Sequence, residues 1–73
     1  MGWKDEEKLP AADITAGEWI RTHEEEDRGE PVQLLWRTVE RVPNGEFRWS
    51  FNTSAGLRYF EDGEWVRRVT RTE

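Results

Sequence analysis

Apolar residues alternate with polar ones in short runs along the chain, and each run ends at a turn signal. These signals contain glycine or proline and lie at residues 17, 28–31, 43–45, 54–56 and 62–63. Alternation with a period of two over such lengths is typical of half-buried strands. The pattern predicts five antiparallel strands, at residues 18–25, 32–42, 46–53, 57–61 and 64–71.

The dipeptide Asn44-Gly45 predicts a hairpin with a two-residue loop, because both central residues of a type I′ turn need positive φ. The apolar side chains of this hairpin then share one buried face: Leu34, Trp36, Val42, Phe47, Trp49 and Phe51. The opposite face holds Arg37, Arg41 and Arg48, with Arg41 directly facing Arg48. A three-residue loop would pair Glu40 with Arg48 and separate Trp36 from Trp49. We reject it because a cross-strand ion pair contributes about 0.2–1 kcal/mol, whereas an exposed tryptophan forfeits about 1.5–3 kcal/mol.

The dipeptide Asp62-Gly63 predicts a second hairpin, in which Phe60 faces Trp65 and Arg58 opposes Arg67. Apolar side chains then lie on both faces near that turn, which a flat sheet with one buried face does not accommodate. We therefore expect an all-β fold, in which the five-stranded antiparallel meander curls into a small SH3-like or OB-like barrel or half-barrel. Closure would also remove exposed sheet edges.

Residues 1–17 differ in character from the rest, because residues 5–8 and the segment that starts at Pro10 each favour a helical turn. We expect them to form a partly ordered N-terminal arm, with one short helix starting at Pro10. Residues 18–73 then form the antiparallel β domain. The length of 73 residues allows a single small domain.

Five tryptophans and no cysteine are the unusual entries in the composition. Without cysteine the chain has neither a disulfide nor a thiolate zinc site, so packing must hold the fold. Trp36 and Trp49 are assigned to the core, Trp19 to the first strand and Trp65 to the last hairpin. Trp3, in the charged arm, is left for recognition.

The formal charge is −5, and the acidic excess lies in the first half of the chain. Residues 1–30 hold 4 basic and 10 acidic side chains, whereas residues 31–73 hold 7 and 6. This balance weighs against a general nucleic-acid binder and favours a charged interaction surface. No apolar run approaches the length of a membrane helix and the N-terminus has no signal-peptide pattern, so we expect a cytoplasmic protein.

No catalytic constellation is present in the sequence. The two serines lack a nucleophile motif, and residues 52–56 lack the ending of a phosphate-binding loop. In an extended segment His23, Glu25 and Asp27 would project to one side like metal ligands, but an acidic strand end entering a turn explains them better. We expect no enzyme activity, no cofactor and no metal.

The sequence therefore predicts a non-enzymatic protein-binding module, such as a small inhibitor, adaptor or immunity-type protein, whose partner is another protein with a charged surface. The predicted partner-binding residues are Glu24, Glu25, Glu26, Asp27, Arg37, Arg41, Arg48, Arg58, Arg67 and Trp3. One alternative is a barrel that binds single-stranded nucleic acid through Arg37, Arg48, Arg58 and Tyr59. Another is a small-ligand barrel completed by dimerisation, and both a monomer and a homodimer fit the sequence.

Overall fold

The computed structural model describes residues 2–22 and 27–72, which form one antiparallel sheet of six strands. The strands are β1 (Gly2–Pro10), β2 (Trp19–Arg21), β3 (Val32–Arg41), β4 (Phe47–Thr53), β5 (Gly56–Glu61) and β6 (Trp65–Thr72). Their order across the sheet is β1-β6-β2-β3-β4-β5. The all-β antiparallel class is confirmed. The sheet has six strands instead of five and does not close into a barrel, since β1 and β5 are its two edges.

The additional strand lies in the segment that was expected to be an arm. β1 runs antiparallel to β6, with Gly2 opposite Thr72 and Pro10 opposite Trp65. The helix expected after Pro10 is a single 3₁₀ turn at Ala11–Asp13. The pairing joins the two ends of the chain, which a local sequence pattern does not reveal.

The predicted hairpin at Asp62-Gly63 is wrong. β5 and β6 are not paired, and β6 instead lies between β1 and β2. The turn is short, with the amide of Glu64 donating to the carbonyl of Glu61 at 3.1 Å. Val66 and Val69 are both buried, although they lie on opposite faces of β6.

The β3–β4 hairpin has the three-residue loop that the sequence argument rejected. Glu40 lies opposite Arg48, and the amide of Val42 donates to the carbonyl of Glu46 at 2.9 Å. Proline explains this choice, because a two-residue loop would place Pro43 in the closing hydrogen-bonded pair, where it has no N–H to donate. A three-residue loop places Pro43 at the turn position that proline favours, and Gly45 adopts the positive φ of 88° that such a loop requires.

A β-bulge in β3 between Leu34 and Trp36 determines which side chains face the core. Leu34 is fully buried, but after the bulge Trp36 lies on the opposite face and is 54% exposed. Trp36 and Trp49 are therefore separated, contrary to prediction. Arg37 instead lies on the same face as Trp49. It is directly opposite Phe51, and Phe51 and Trp49 are two residues apart on β4 and therefore share a face.

The core lies on one face of the sheet, which we call the inner face, and is mostly aliphatic. Its buried members are Ala11, Ile14, Ile20, Val32, Leu34, Phe51, Phe60 and Val66, with Leu9 and Trp49 packed against them. Phe51 and Phe60 contact each other, with ring centroids 4.8 Å apart at 56°. The segment after β1 contributes Ile14, which is fully buried. The predicted arm is thus part of the core.

Two phenylalanines of β4 provide a matched test of this arrangement. Phe51 is fully buried and Phe47 is 46% exposed. We expect Phe51→Ala to lower the free energy of unfolding by about 3–5 kcal/mol, because it empties the centre of the core. Phe47→Ala should cost less than about 1 kcal/mol. Urea denaturation of the two variants measures both values, and equal losses would contradict the assigned faces.

Candidate functional site

Asp27 and Arg58, both predicted to face a partner, are instead buried against each other. Arg58 donates from Nη2 to Asp27 Oδ1 at 2.6 Å and from Nε to Oδ2 at 3.1 Å. The Asp27 side chain is 1% exposed and the Arg58 side chain is 9% exposed. Thr22 also donates its hydroxyl to Asp27. This pair ties the segment around residue 27 to β5 and is structural, so the two residues are removed from the predicted surface.

The environment of Asp27 favours its ionised form. The hydrogen bond from Arg58 is the largest influence, and together with the bond from Thr22 it outweighs the opposing effect of burial, so the pKa of Asp27 lies below its ordinary value. A carboxylate with a lowered pKa stabilises the fold at neutral pH and loses that contribution as the pH falls. Residues 23–26 lie outside the described residues. They include the predicted partner-binding residues Glu24, Glu25 and Glu26, and also His23, which was not predicted to bind a metal.

The predicted arginine face does not exist as one surface. Arg37 points inward, where its guanidinium donates to the carbonyls of Ala11 and Ile14 and lies 5.1 Å from the centre of the Trp49 ring. Arg41 lies on the same face at the exposed tip of the hairpin. Arg48 lies on the opposite face. The three-residue loop therefore divides the set that a two-residue loop would have gathered.

Arg48 lies between an acidic and an aromatic side chain. It forms an ion pair with Glu40, directly opposite on β3, and its guanidinium stands 4.6 Å from the centre of the Tyr59 ring. The hydrogen bond to Glu40 raises the pKa of Arg48 further. The predicted clash between Arg41 and Arg48 does not occur, because the observed register pairs each with a different residue.

Arg48 belongs to an exposed surface that we call the outer hairpin face. Cross-strand pairing places its nine residues in three rows over β3, β4 and β5: Trp36, Asn52 and Leu57; Thr38, Ser50 and Tyr59; Glu40, Arg48 and Glu61. Trp36, Leu57 and Tyr59 are 54%, 45% and 47% exposed. Half-exposed large apolar side chains on one face mark this surface as a candidate binding site.

A second surface lies at the other end of the molecule and is basic. Lys8, Arg67 and Arg21 are directly opposed across β1, β6 and β2. Arg67 donates to the carbonyl of Glu6 at 2.7 Å, and Arg21 forms an ion pair with Asp5 at 2.9 Å. We call this set of three cations the cationic row. Like charges directly opposite one another are unfavourable, so an anion placed over the row would relieve the repulsion.

Tryptophans flank the cationic row on the same face. Trp65 lies two residues before Arg67 and is 54% exposed. On the other side Trp3 packs against Trp19 with ring centroids 4.9 Å apart, and Arg71 stands 5.7 Å from the Trp3 ring. Trp3 is therefore held by neighbours of its own chain and does not extend free for recognition.

Sequence reasoning missed the outer hairpin face because it assigned Trp36 to the core. The local signal that identifies it is Pro43, which disfavours the two-residue loop. The bulge at residue 35 has no comparable signal in the chain, since Leu34, Leu35 and Trp36 are all apolar. The cationic row depends on β1 and β2 lying on either side of β6, so no local pattern indicates it.

No protein-family model, no curated protein and no solved structure matches this chain. The described part of the chain contains no helix that is long and apolar enough to cross a membrane. Within residues 2–22 and 27–72, no group of three or more histidine or acidic side chains is arranged to hold a metal ion. The candidate surfaces are therefore judged by their own geometry.

The Asp27–Arg58 pair predicts how stability depends on pH. Asp27→Asn should lower the free energy of unfolding by about 3–5 kcal/mol at pH 7, because the buried guanidinium of Arg58 loses the carboxylate to which it donates two hydrogen bonds. The difference between wild type and variant should begin to shrink below about pH 4, where Asp27 of the unfolded wild-type chain takes up a proton, and should shrink further as the pH falls through the lowered pKa of the folded protein. Urea denaturation from pH 3 to 7 measures this. Glu40→Gln, which breaks an exposed ion pair, is the control and should change stability little; a pH-independent difference for Asp27→Asn would refute the assignment.

Proposed function

We propose that this chain is a non-enzymatic protein-binding module of the inhibitor, adaptor or immunity type, and that it acts in the cytoplasm. The observation that carries the proposal is the outer hairpin face, where Trp36, Leu57 and Tyr59 remain about half exposed. A small protein that leaves such side chains in water gains from covering them. Tryptophan, tyrosine and arginine are also the residues that contribute most to protein interfaces.

The sizes of the side chains give the outer hairpin face the form of a shallow trough. The central strand β4 contributes Ser50 and Asn52, which are short, whereas Trp36 stands on β3 and Tyr59 on β5. β3 and β5 are two strand spacings apart, about 9–10 Å. That width suits one extended segment of a partner protein, with its apolar side chains between the aromatic rings.

Charges at one end of the trough set the character of the partner. Glu40, Arg48 and Glu61 form the last row, and Arg48 is bound to Glu40. Glu61 has no ion pair among the described residues. A basic residue of the partner next to Glu61 would complete this row, since complementary charges at the rim of an interface fix its register.

Capture of partners from the native cell tests this proposal. We expect the double variant Trp36→Ser/Tyr59→Ser to lose a partner that wild type captures, with at least a tenfold weaker Kd once that partner is purified. Trp65→Ser is the matched control, because Trp65 is equally exposed but lies on another surface. Retention of every partner by the double variant would disprove the role of this face.

The cationic row supports a second candidate function, the binding of single-stranded nucleic acid. Lys8, Arg21 and Arg67 offer contacts to phosphates, and the exposed ring of Trp65 beside them offers a platform on which a base can stack. The arginines named for this function by the sequence are not available together, since Arg58 is buried and Arg37 points toward the core. The net charge of −5 opposes binding of a polyanion, so this candidate ranks second.

Fluorescence anisotropy with a labelled oligothymidine tests the second candidate. We expect Lys8→Gln/Arg67→Gln to weaken binding at least tenfold and to reduce its dependence on salt, because fewer counter-ions are released. Arg41→Gln, which removes a cation at the hairpin tip, should leave the affinity within about twofold. If wild type shows no binding at 50 mM salt, or if all three proteins bind alike, this function is excluded.

A further inference from the structure

One edge of β3 has no strand beside it along most of its length. β2 pairs with β3 only at Val32 and Gln33. The backbone of Leu34 is bonded to the preceding loop, with the amide of Gly17 donating to its carbonyl at 2.7 Å. Beyond this point, at residues 35–41, no strand of the described chain lies on that side of β3.

The register of the hairpin shows which backbone groups face this open edge. The amide of Val42 donates to β4, at Glu46. Backbone groups alternate in direction along a strand, so those of Glu40 and Thr38 also face β4. The N–H and C=O groups of Arg37, Val39 and Arg41 therefore face outward, where they are available to another strand.

The open edge lacks the features that usually keep edges apart. It contains no proline, and the strand to which it belongs, β3, is ten residues long, whereas edge strands are often kept short. Of its charged side chains, Arg37 is drawn inward to the carbonyls of Ala11 and Ile14, and Glu40 is drawn across to Arg48 on β4. Both side chains are therefore engaged within the chain, and neither stands in the way of a strand that approaches the edge.

A second copy of this chain fits the open edge in one register. In an antiparallel pair of β3 strands, the outward-facing backbone groups of one copy must lie opposite those of the other. This condition is met when the two-fold axis passes through Arg37, Thr38, Val39 or Glu40. The axis at Arg37 or Glu40 brings that residue against its own copy, so two side chains of like charge are crowded together even though each has a partner in its own chain. The axis at Val39 sets Arg37 against Arg41. Like charges directly opposite destabilise a sheet, so the axis at Thr38 remains.

We propose that two copies of this chain dimerise through their β3 edges, antiparallel, with the two-fold axis at Thr38. Arg37 of each copy exchanges two backbone hydrogen bonds with Val39 of the other. Trp36 faces Glu40 of the second copy, so the exposed indole gains a neighbour. In the dimer, the strands β5-β4-β3 of one copy continue into β3-β4-β5 of the other. This association does not depend on the proposed partner protein.

The proposed interface is small. It joins about 7 residues of each copy, whereas a standard stable interface uses about 20–30 on each side. We therefore expect a reversible dimer with a Kd between about 10 µM and 1 mM. Such a dimer is populated only at high local concentration.

Sedimentation velocity from 10 µM to 2 mM protein tests the dimer directly. Val39→Pro removes an N–H that faces the open edge and leaves the bonds to β4 in place, so it should weaken dimerisation at least tenfold. Val39→Ala is the control, since it retains that N–H and should dimerise within about threefold of wild type. A wild type that is monomeric at 2 mM, or a folded Val39→Pro variant that dimerises normally, would overturn the proposal.

Hydrogen exchange of the wild-type protein gives a second readout that needs no variant. Raising the concentration should slow exchange at the amides of Arg37 and Val39, which enter the interface. The amides of Thr38 and Glu40 face β4 in both states and should exchange at the same rate throughout. Slowing at Thr38 and Glu40 without slowing at Arg37 and Val39 would place the contact elsewhere and refute the proposed edge.

Discussion

The register of β3 against β4 decides which residues of this protein are buried and which are offered to a partner. The loop at Pro43 and the bulge after Leu34 together set that register. A shift of one residue moves every side chain of a strand to the other face. With the observed register Phe51 fills the core, Trp36 is exposed, and Glu40 meets Arg48, so the candidate surface follows from the same choice that builds the core.

A domain this short has little apolar surface to bury, so the few strong polar contacts have a large share in its stability. The pair of Asp27 and Arg58 connects the segment before β3 to the edge strand β5. Arg37 connects the inner face of the hairpin to the segment after β1. Both arginines fasten parts of the chain that no hydrogen-bonded strand pair joins.

The arginines of this chain therefore divide by role, although their sequence neighbourhoods look alike. Arg58 and Arg37 hold the structure together. Arg48 belongs to the outer hairpin face, and Arg67 belongs to the cationic row at the other end of the sheet. They were predicted together as partner-binding residues, because a two-residue loop was expected for the first hairpin and β5 was expected to pair with β6. The true neighbours of β6 are β1 and β2, so β2 lies between the strand of Arg67 and the β3–β4 hairpin.

The sequence by itself determined the all-β antiparallel class and the positions of five strands, because alternation and turn residues act over a few neighbouring positions. It also contains the signal for the length of the β3–β4 loop, because Pro43 has no N–H to donate in the closing pair of a two-residue loop. Only the tertiary structure decided that residues 2–10 form a strand paired with β6, and that β6 pairs with β1 and β2 instead of β5. It also decided that Asp27 is buried in an ion pair with Arg58. Those outcomes depend on contacts between residues 30 to 70 positions apart, such as Gly2 with Thr72, whose energies no local pattern contains.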